Sequence, residues 1–112
     1  MSPLRQWDTV LVPYPSAANP HYLVLLSPDH LAGNTDFLNL NGLACSTLRP
    51  PDRPLRSHEV FLNSADGFEH KTACRCHLVI EFAREDILTT HGRVSTARQL
   101  AIKRRLREIF GL

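Results

Sequence analysis

Apolar and polar positions in this chain fall into short runs separated by turn residues, the pattern of a β-rich protein. Residues 7–12 (Trp-Asp-Thr-Val-Leu-Val) are rich in β-formers and stop at Pro13 and Pro15, which predicts a first strand. Residues 13–20 read as a loop. Residues 21–27 are nearly continuously apolar, so a central strand buried on both faces is predicted there. Pro28-Asp29 and Gly33-Asn34 read as turns. Residues 37–41 alternate with period two, a half-buried strand with Asn39 and Asn41 on its polar face. Residues 59–62 form a further strand, and residues 70–82 the longest one. Alternation along that strand puts Cys74, Cys76, Leu78, Ile80 and Phe82 on one apolar face and sets Arg75 beside His77 on the other. A last short strand covers residues 90–94.

The period then changes. Ser95 is placed to cap a helix over residues 96–110, with Gly111 as its stop. Ile102, Leu106, Ile109 and Phe110 recur at helical spacing as its buried stripe. Arg98, Lys103, Arg104, Arg105 and Arg107, against Glu108, read as a solvated basic face, with positive charge near the end suiting the helix dipole. Short strands followed by one helix give an α+β class that is mainly β: a small antiparallel barrel or half-barrel with a packed helix.

Composition narrows this picture only slightly. At 112 residues the chain has room for one core, so residues 1–112 are read as a single domain. The longest apolar run, residues 22–26, is too short to cross a bilayer, and residues 1–8 hold no hydrophobic segment. A cytoplasmic location is expected. Three cysteines are an odd number, which argues against a disulfide framework. Cys74-Arg75-Cys76 lacks the paired spacing of zinc sites, so Cys45, Cys74, Cys76 and His70 are read as buried thiols and a histidine rather than a metal set. The net charge of +2 permits a nucleic-acid partner without requiring one. The Pro-rich loop at residues 46–57 concentrates Arg49, Arg53 and Arg56, three candidate phosphate contacts.

The order of these elements resembles the MazF/PemK (Kid) family of toxin–antitoxin ribonucleases along nearly the whole chain. Trp7-Asp8-Thr9-Val10-Leu11-Val12-Pro13-Tyr14-Pro15 is similar to the family's opening Gly-Asp-Ile-Val-x-Val-x-Phe-x-Pro. Leu23-Val24-Leu25-Leu26-Ser27 resembles its Arg-Pro-Ala-Leu-Val-Leu-Ser strand. His58-Glu59-Val60-Phe61-Leu62, Asp66-Gly67-Phe68 and Thr72-Ala73-Cys74-Arg75-Cys76-His77 follow its Glu-Val-x-Leu, Gly-Leu and Ser-x-Val-Arg-Cys-Asp series. His91-Gly92-Arg93-Val94-Ser95 and residues 106–112 resemble its Ile-Gly-Arg-Leu-Ser and Leu-Gly-Leu ending.

The resemblance implies an SH3-like β-barrel with a C-terminal helix, a homodimer, and cleavage of single-stranded RNA without a metal or other cofactor. It also implies a groove between subunits that a cognate antitoxin peptide occupies. Arg75 matches an arginine that PemK-type members use near the scissile phosphate. His77 stands where those members have aspartate, and His21 where the family has the arginine of its second strand. Asn41 falls near the Thr or Ser that ends the third strand.

Metal-free RNA cleavage needs a base for the 2′-hydroxyl, an acid for the leaving 5′-oxygen and a cation on the phosphorane oxygens. His21 and His77 are the acid–base candidates, Arg75 the charge stabiliser and Asn41 an orienting donor, with Arg49, Arg53 and Arg56 on the RNA. The product ends are then a 2′,3′-cyclic phosphate and a 5′-hydroxyl. Two other readings use the same barrel. One is a CcdB-like protein that binds DNA gyrase, although the Trp-Gly-Ile ending of that group is absent. The other is a degenerate nuclease kept as a binding module.

Overall fold

The computed structural model describes residues 3–112. Its strands are β1 (Asp8–Ser16), β2 (Asn19–Leu25), β3 (Asn39–Thr47), β4 (Glu59–Leu62), β5 (Thr72–Ala83) and β6 (Thr89–Arg93). They form one antiparallel sheet in the order β4-β5-β3-β2-β1-β6, curled into a half-barrel with β4 and β6 as its edges. A one-turn helix, α1 (Asp29–Ala32), follows β2, and the C-terminal helix α2 (Thr96–Phe110) packs against β4 and β5.

Two apolar layers sandwich the sheet. Val24, Leu43, Val60, Leu62, Cys74 and Ile102 build the layer under α2, with Trp7 and Phe68 at its margin. Val10, Val12, Leu23, Leu25, Leu40, Ile80 and Phe82 build the other. Neighbours on β2 thus alternate between layers, which is why its sequence shows no polar face. Helix α2 runs over the predicted residues and ends at Gly111, whose φ of 67° and N–H bonded to the Arg107 carbonyl make the left-handed stop.

Four expectations are corrected. First, β1 does not end at Pro13. It continues to Ser16, and its pairing with β2 is irregular between Val12 and Ser16, so both prolines sit where no ladder donor is required. Second, the third strand is Asn39–Thr47 rather than residues 37–41, which puts Asn41 near its start and Ser46 and Thr47 at its end. Third, the turns around residues 28–34 enclose α1. Arg84 closes that segment by donating to the carbonyls of Leu31, Ala32, Asn34 and Phe37 at 2.8–3.0 Å. Fourth, Ser95 makes no side-chain cap. The Ser95 N–H instead donates to the buried Asp66 carboxylate at 2.9 Å, and the second Asp66 oxygen accepts from the Asn63 N–H at 3.0 Å.

The long strand also departs from simple alternation. Leu43 faces Val79, yet Cys45 faces Cys74, so two steps along β3 match five along β5. An odd surplus reverses which side chains face which layer. Cys74 and Cys76 therefore pack under α2, while Ile80 and Phe82 pack on the opposite side. Arg75 and His77 lie in this bulged segment.

Candidate active site

A cleft of about 480 Å³ opens where the ends of β2, β3 and β6 meet the turn before β5. Its polar lining includes His21, Ser46, Thr47, Arg49, Glu69, His70 and His91, and its apolar wall includes Tyr22 and Phe68. Four separate stretches of sequence contribute to it.

His21 is held at the start of β2 by backbone carbonyls. Its Nδ1 lies 2.7 Å from the Tyr14 oxygen and 3.1 Å from the Asn19 oxygen. A carbonyl only accepts, so Nδ1 carries the proton and the neutral ring keeps its lone pair on Nε2. That tautomer suits a proton acceptor.

His91 is placed by a close backbone crossing. Thr9 Oγ1 donates to the His91 carbonyl, and Gly92 (φ 76°) lies against Gly67 (φ 88°). A Cβ on either glycine would come within 3.1 Å of the other's Cα, so only two glycines allow β6 to approach the turn at residues 64–67 this closely. The His91 ring then rests 5.1 Å from Tyr22, whose other neighbour is Phe68, edge-on at 5.8 Å. Arg49 is exposed at the rim, and among the described residues it forms no ion pair.

A second polar cluster lies on the β4–β5 edge. The ring centroids of His58 and His77 are 3.8 Å apart, steeply inclined, and Arg75 pairs across the ladder from Glu59. Glu59 is only 3% exposed. It accepts two bonds from Arg53 at 3.0 Å each and one from the Arg56 N–H at 2.8 Å. The Arg53 fork is the largest influence holding the Glu59 carboxyl below its ordinary value, against the opposing effect of burial. His77 is held below its ordinary value by desolvation, with the charges of His58 and Arg75 adding to it and that of Glu59 opposing. The loop between β3 and β4 therefore starts at the cleft with Arg49 and ends locked to this cluster by Arg53.

The residues singled out in sequence thus divide. His21 and Arg49 line the cleft; Arg75, His77, Arg53 and Arg56 belong with the β4–β5 edge; Asn41 is in neither. Asn41 pairs with Glu81, and its N–H donates to Ser27 Oγ at 2.9 Å. Ser46, Thr47, His70 and His91 line the cleft as well, beyond the residues the sequence proposes for the site. The signal for the hydroxyls was present in the Ser-Thr pair that ends the third strand.

Two other features bear on chemistry. Cys45, Cys74 and Cys76 are buried free thiols; the Cys74 S–H faces the Cys45 and Cys76 sulfurs as a donor, which together with burial pushes its titration well up. No three or more His, Cys, Asp or Glu side chains among the described residues are arranged to hold a metal ion. On α2, Arg98 lies over the Phe61 ring at 5.3 Å and Lys103 near Trp7 at 5.8 Å, so part of the basic face covers aromatic surface. No helix of the described residues is long and apolar enough to cross a membrane.

No protein-family model and no curated protein matches the chain. Solved structures do. The Mycobacterium tuberculosis toxin MazF-mt6 superposes with a TM-score of 0.78 at 11% identity, over 94% of this chain and 97% of that one. This chain has the MazF toxin fold. An endoribonuclease from a mycobacterial species matches at 0.77 and 12% identity, covering 100% of this chain and 95% of its own. A mycobacterial endoribonuclease in complex with its cognate antitoxin matches at 0.78 and 14% identity, over 99% and 97%. The MazF fold is thus retained end to end while most side chains differ, so roles have to be argued from the groups this chain itself places in the cleft.

Proposed function

We propose that the protein is a growth-inhibiting toxin that cleaves single-stranded RNA, acts in the cytoplasm as a homodimer and is neutralised by a cognate antitoxin. The observation that carries this reading is the cleft: three imidazoles, a rim guanidinium and two hydroxyls on the fold of the MazF endoribonucleases. The antitoxin bound to one structural neighbour supports the regulatory half of the reading.

The chemistry follows from the lining. His21, with its proton fixed on Nδ1, takes the 2′-hydroxyl proton through Nε2. The freed 2′-oxygen attacks the phosphorus and the bond to the 5′-oxygen breaks. His70, exposed at the cleft rim, supplies the proton to that leaving oxygen. Arg49 offers a permanent planar cation to the phosphate oxygens, and Ser46 and Thr47 orient them. The products are a 2′,3′-cyclic phosphate and a 5′-hydroxyl, and no metal takes part in any step. In this reading His70 stands where the sequence suggested His77.

Incubation of the purified protein with a long unstructured RNA, in chelator, tests the reading. Fragments with 5′-hydroxyl ends at recurring positions are expected. Intact RNA, with growth still arrested on expression, would favour a gyrase-binding or other non-enzymatic toxin.

A further inference from the structure

Among the groups lining the cleft that carry charge near neutral pH, all but one are histidine or arginine. The exception is Glu69, an exposed residue between Phe68 and His70, and no described side chain pairs with it. A carboxylate opposes phosphate, so it has no place in backbone binding. It does favour a pair of N–H donors.

The wall beside it supplies the other half of a base subsite. Tyr22 is braced edge-on by Phe68 at 5.8 Å and faces His91 at 5.1 Å, giving a rigid aromatic surface in a cavity of about 480 Å³. Unstacked bases are recognised by an aromatic face together with hydrogen bonds to their edges. Guanine alone presents two adjacent donors, N1–H and N2–H₂, on its Watson–Crick edge. Adenine and cytosine set one donor beside a lone pair, and uracil flanks its single N–H with carbonyls, so each offers a carboxylate one bond and turns a lone pair on its second oxygen. We infer that Glu69 reads the base and selects guanine in the subsite walled by Tyr22 and His91. This rests on the proposed RNA-binding cleft.

Glu69→Gln supplies the test, because an amide offers one acceptor and one donor. Cleavage sites of the wild-type protein, mapped on a random-sequence RNA, are expected to share a guanine at one fixed position. In Glu69→Gln that preference falls about ten- to hundredfold and shifts towards adenine or cytosine, whose edges match an amide. Cleavage sites without a shared guanine, or an unchanged pattern in Glu69→Gln, overturn the assignment.

A binding arm keeps the inference separate from catalysis. Fluorescence anisotropy is run with 2′-O-methyl hexamers, uncleavable, carrying guanine or inosine, which lacks the N2 amine. Tighter binding of the guanine hexamer by wild type but not by Glu69→Gln supports the assignment even if no RNA is cut. Equal affinity for both hexamers overturns it even if RNA is cut.

Discussion

Arg53 closes a two-pronged ion pair on Glu59, Nη1 to Oε1 and Nη2 to Oε2, both at 3.0 Å. Oε1 also accepts the Arg56 N–H, so one buried carboxylate gathers the far end of the loop that begins at the cleft. Because the folded chain holds Glu59 below its ordinary carboxylate value, its contribution is complete above that range and is lost as pH falls through the folded value. Glu59→Gln is expected to lower the melting temperature at neutral pH and to remove that part of the acid-side slope. Limited proteolysis should then cut residues 49–57 faster than in wild type. A loop equally resistant in both would deny the clamp.

Arg49 and Arg53 are separated by four positions and do different work. Among the described residues Arg49 forms no ion pair at the cleft rim, whereas Arg53 is engaged with Glu59. Each phosphate contact on a single strand contributes about 0.7 to the slope of log affinity against log salt. Arg49→Ala is expected to reduce that slope by roughly one such contact and to leave the melting temperature nearly unchanged. Arg53→Ala should do the reverse, and titrations at several salt concentrations separate the two.

Asp66 is fully buried and joins the turn before β5 to the start of α2 through two backbone N–H bonds, with Arg98 at 3.8 Å. Hydrogen bonds to a charged group contribute about 1.5–3 kcal/mol each. Asp66→Ala should therefore destabilise by about 3 kcal/mol or more, read from a denaturant titration. Gly92→Ala acts on the same joint: a side chain at positive φ costs about 1–2 kcal/mol, before the 3.1 Å crossing with Gly67 is disturbed.

The His58–His77 contact gives a pH dependence of definite sign. Desolvation, then His58 and Arg75, make His77 a weaker base in the folded chain, with Glu59 opposing them. The unfolded chain consequently binds more protons just below the ordinary histidine value, and stability falls as pH is lowered through that window. His77→Gln should flatten the melting temperature between about pH 7 and 5 relative to wild type. An unaltered profile would show that the pair does not couple to folding.

Strand 2 and the last helix were legible because their cause is local. Continuous apolar residues at 22–26 mark a strand with cores on both sides, and the stripe of Ile102, Leu106 and Ile109 closed by Gly111 marks the helix. Phe110, expected in that stripe, is instead exposed at the helix end. The bulge in β5 was not legible, since it arises from how β3 pairs with it. A surplus of three residues puts Cys76 and Ile80 in opposite apolar layers, and Arg75 and His77 lie within it beside β4. The cleft escaped for a related reason. His21, Ser46, His70 and His91 meet only through strand order and through the Gly67–Gly92 crossing, and neither has a period to read.

Single-turnover cleavage of one RNA by His21→Ala and His77→Ala, each verified as folded, bears most directly on where the chemistry lies. Loss of a general base lowers rates about 10²–10⁴-fold. That loss is expected in His21→Ala, with His77→Ala within a few-fold of wild type. The opposite pattern, His77→Ala inactive and His21→Ala unimpaired, would contradict a catalytic centre in this cleft.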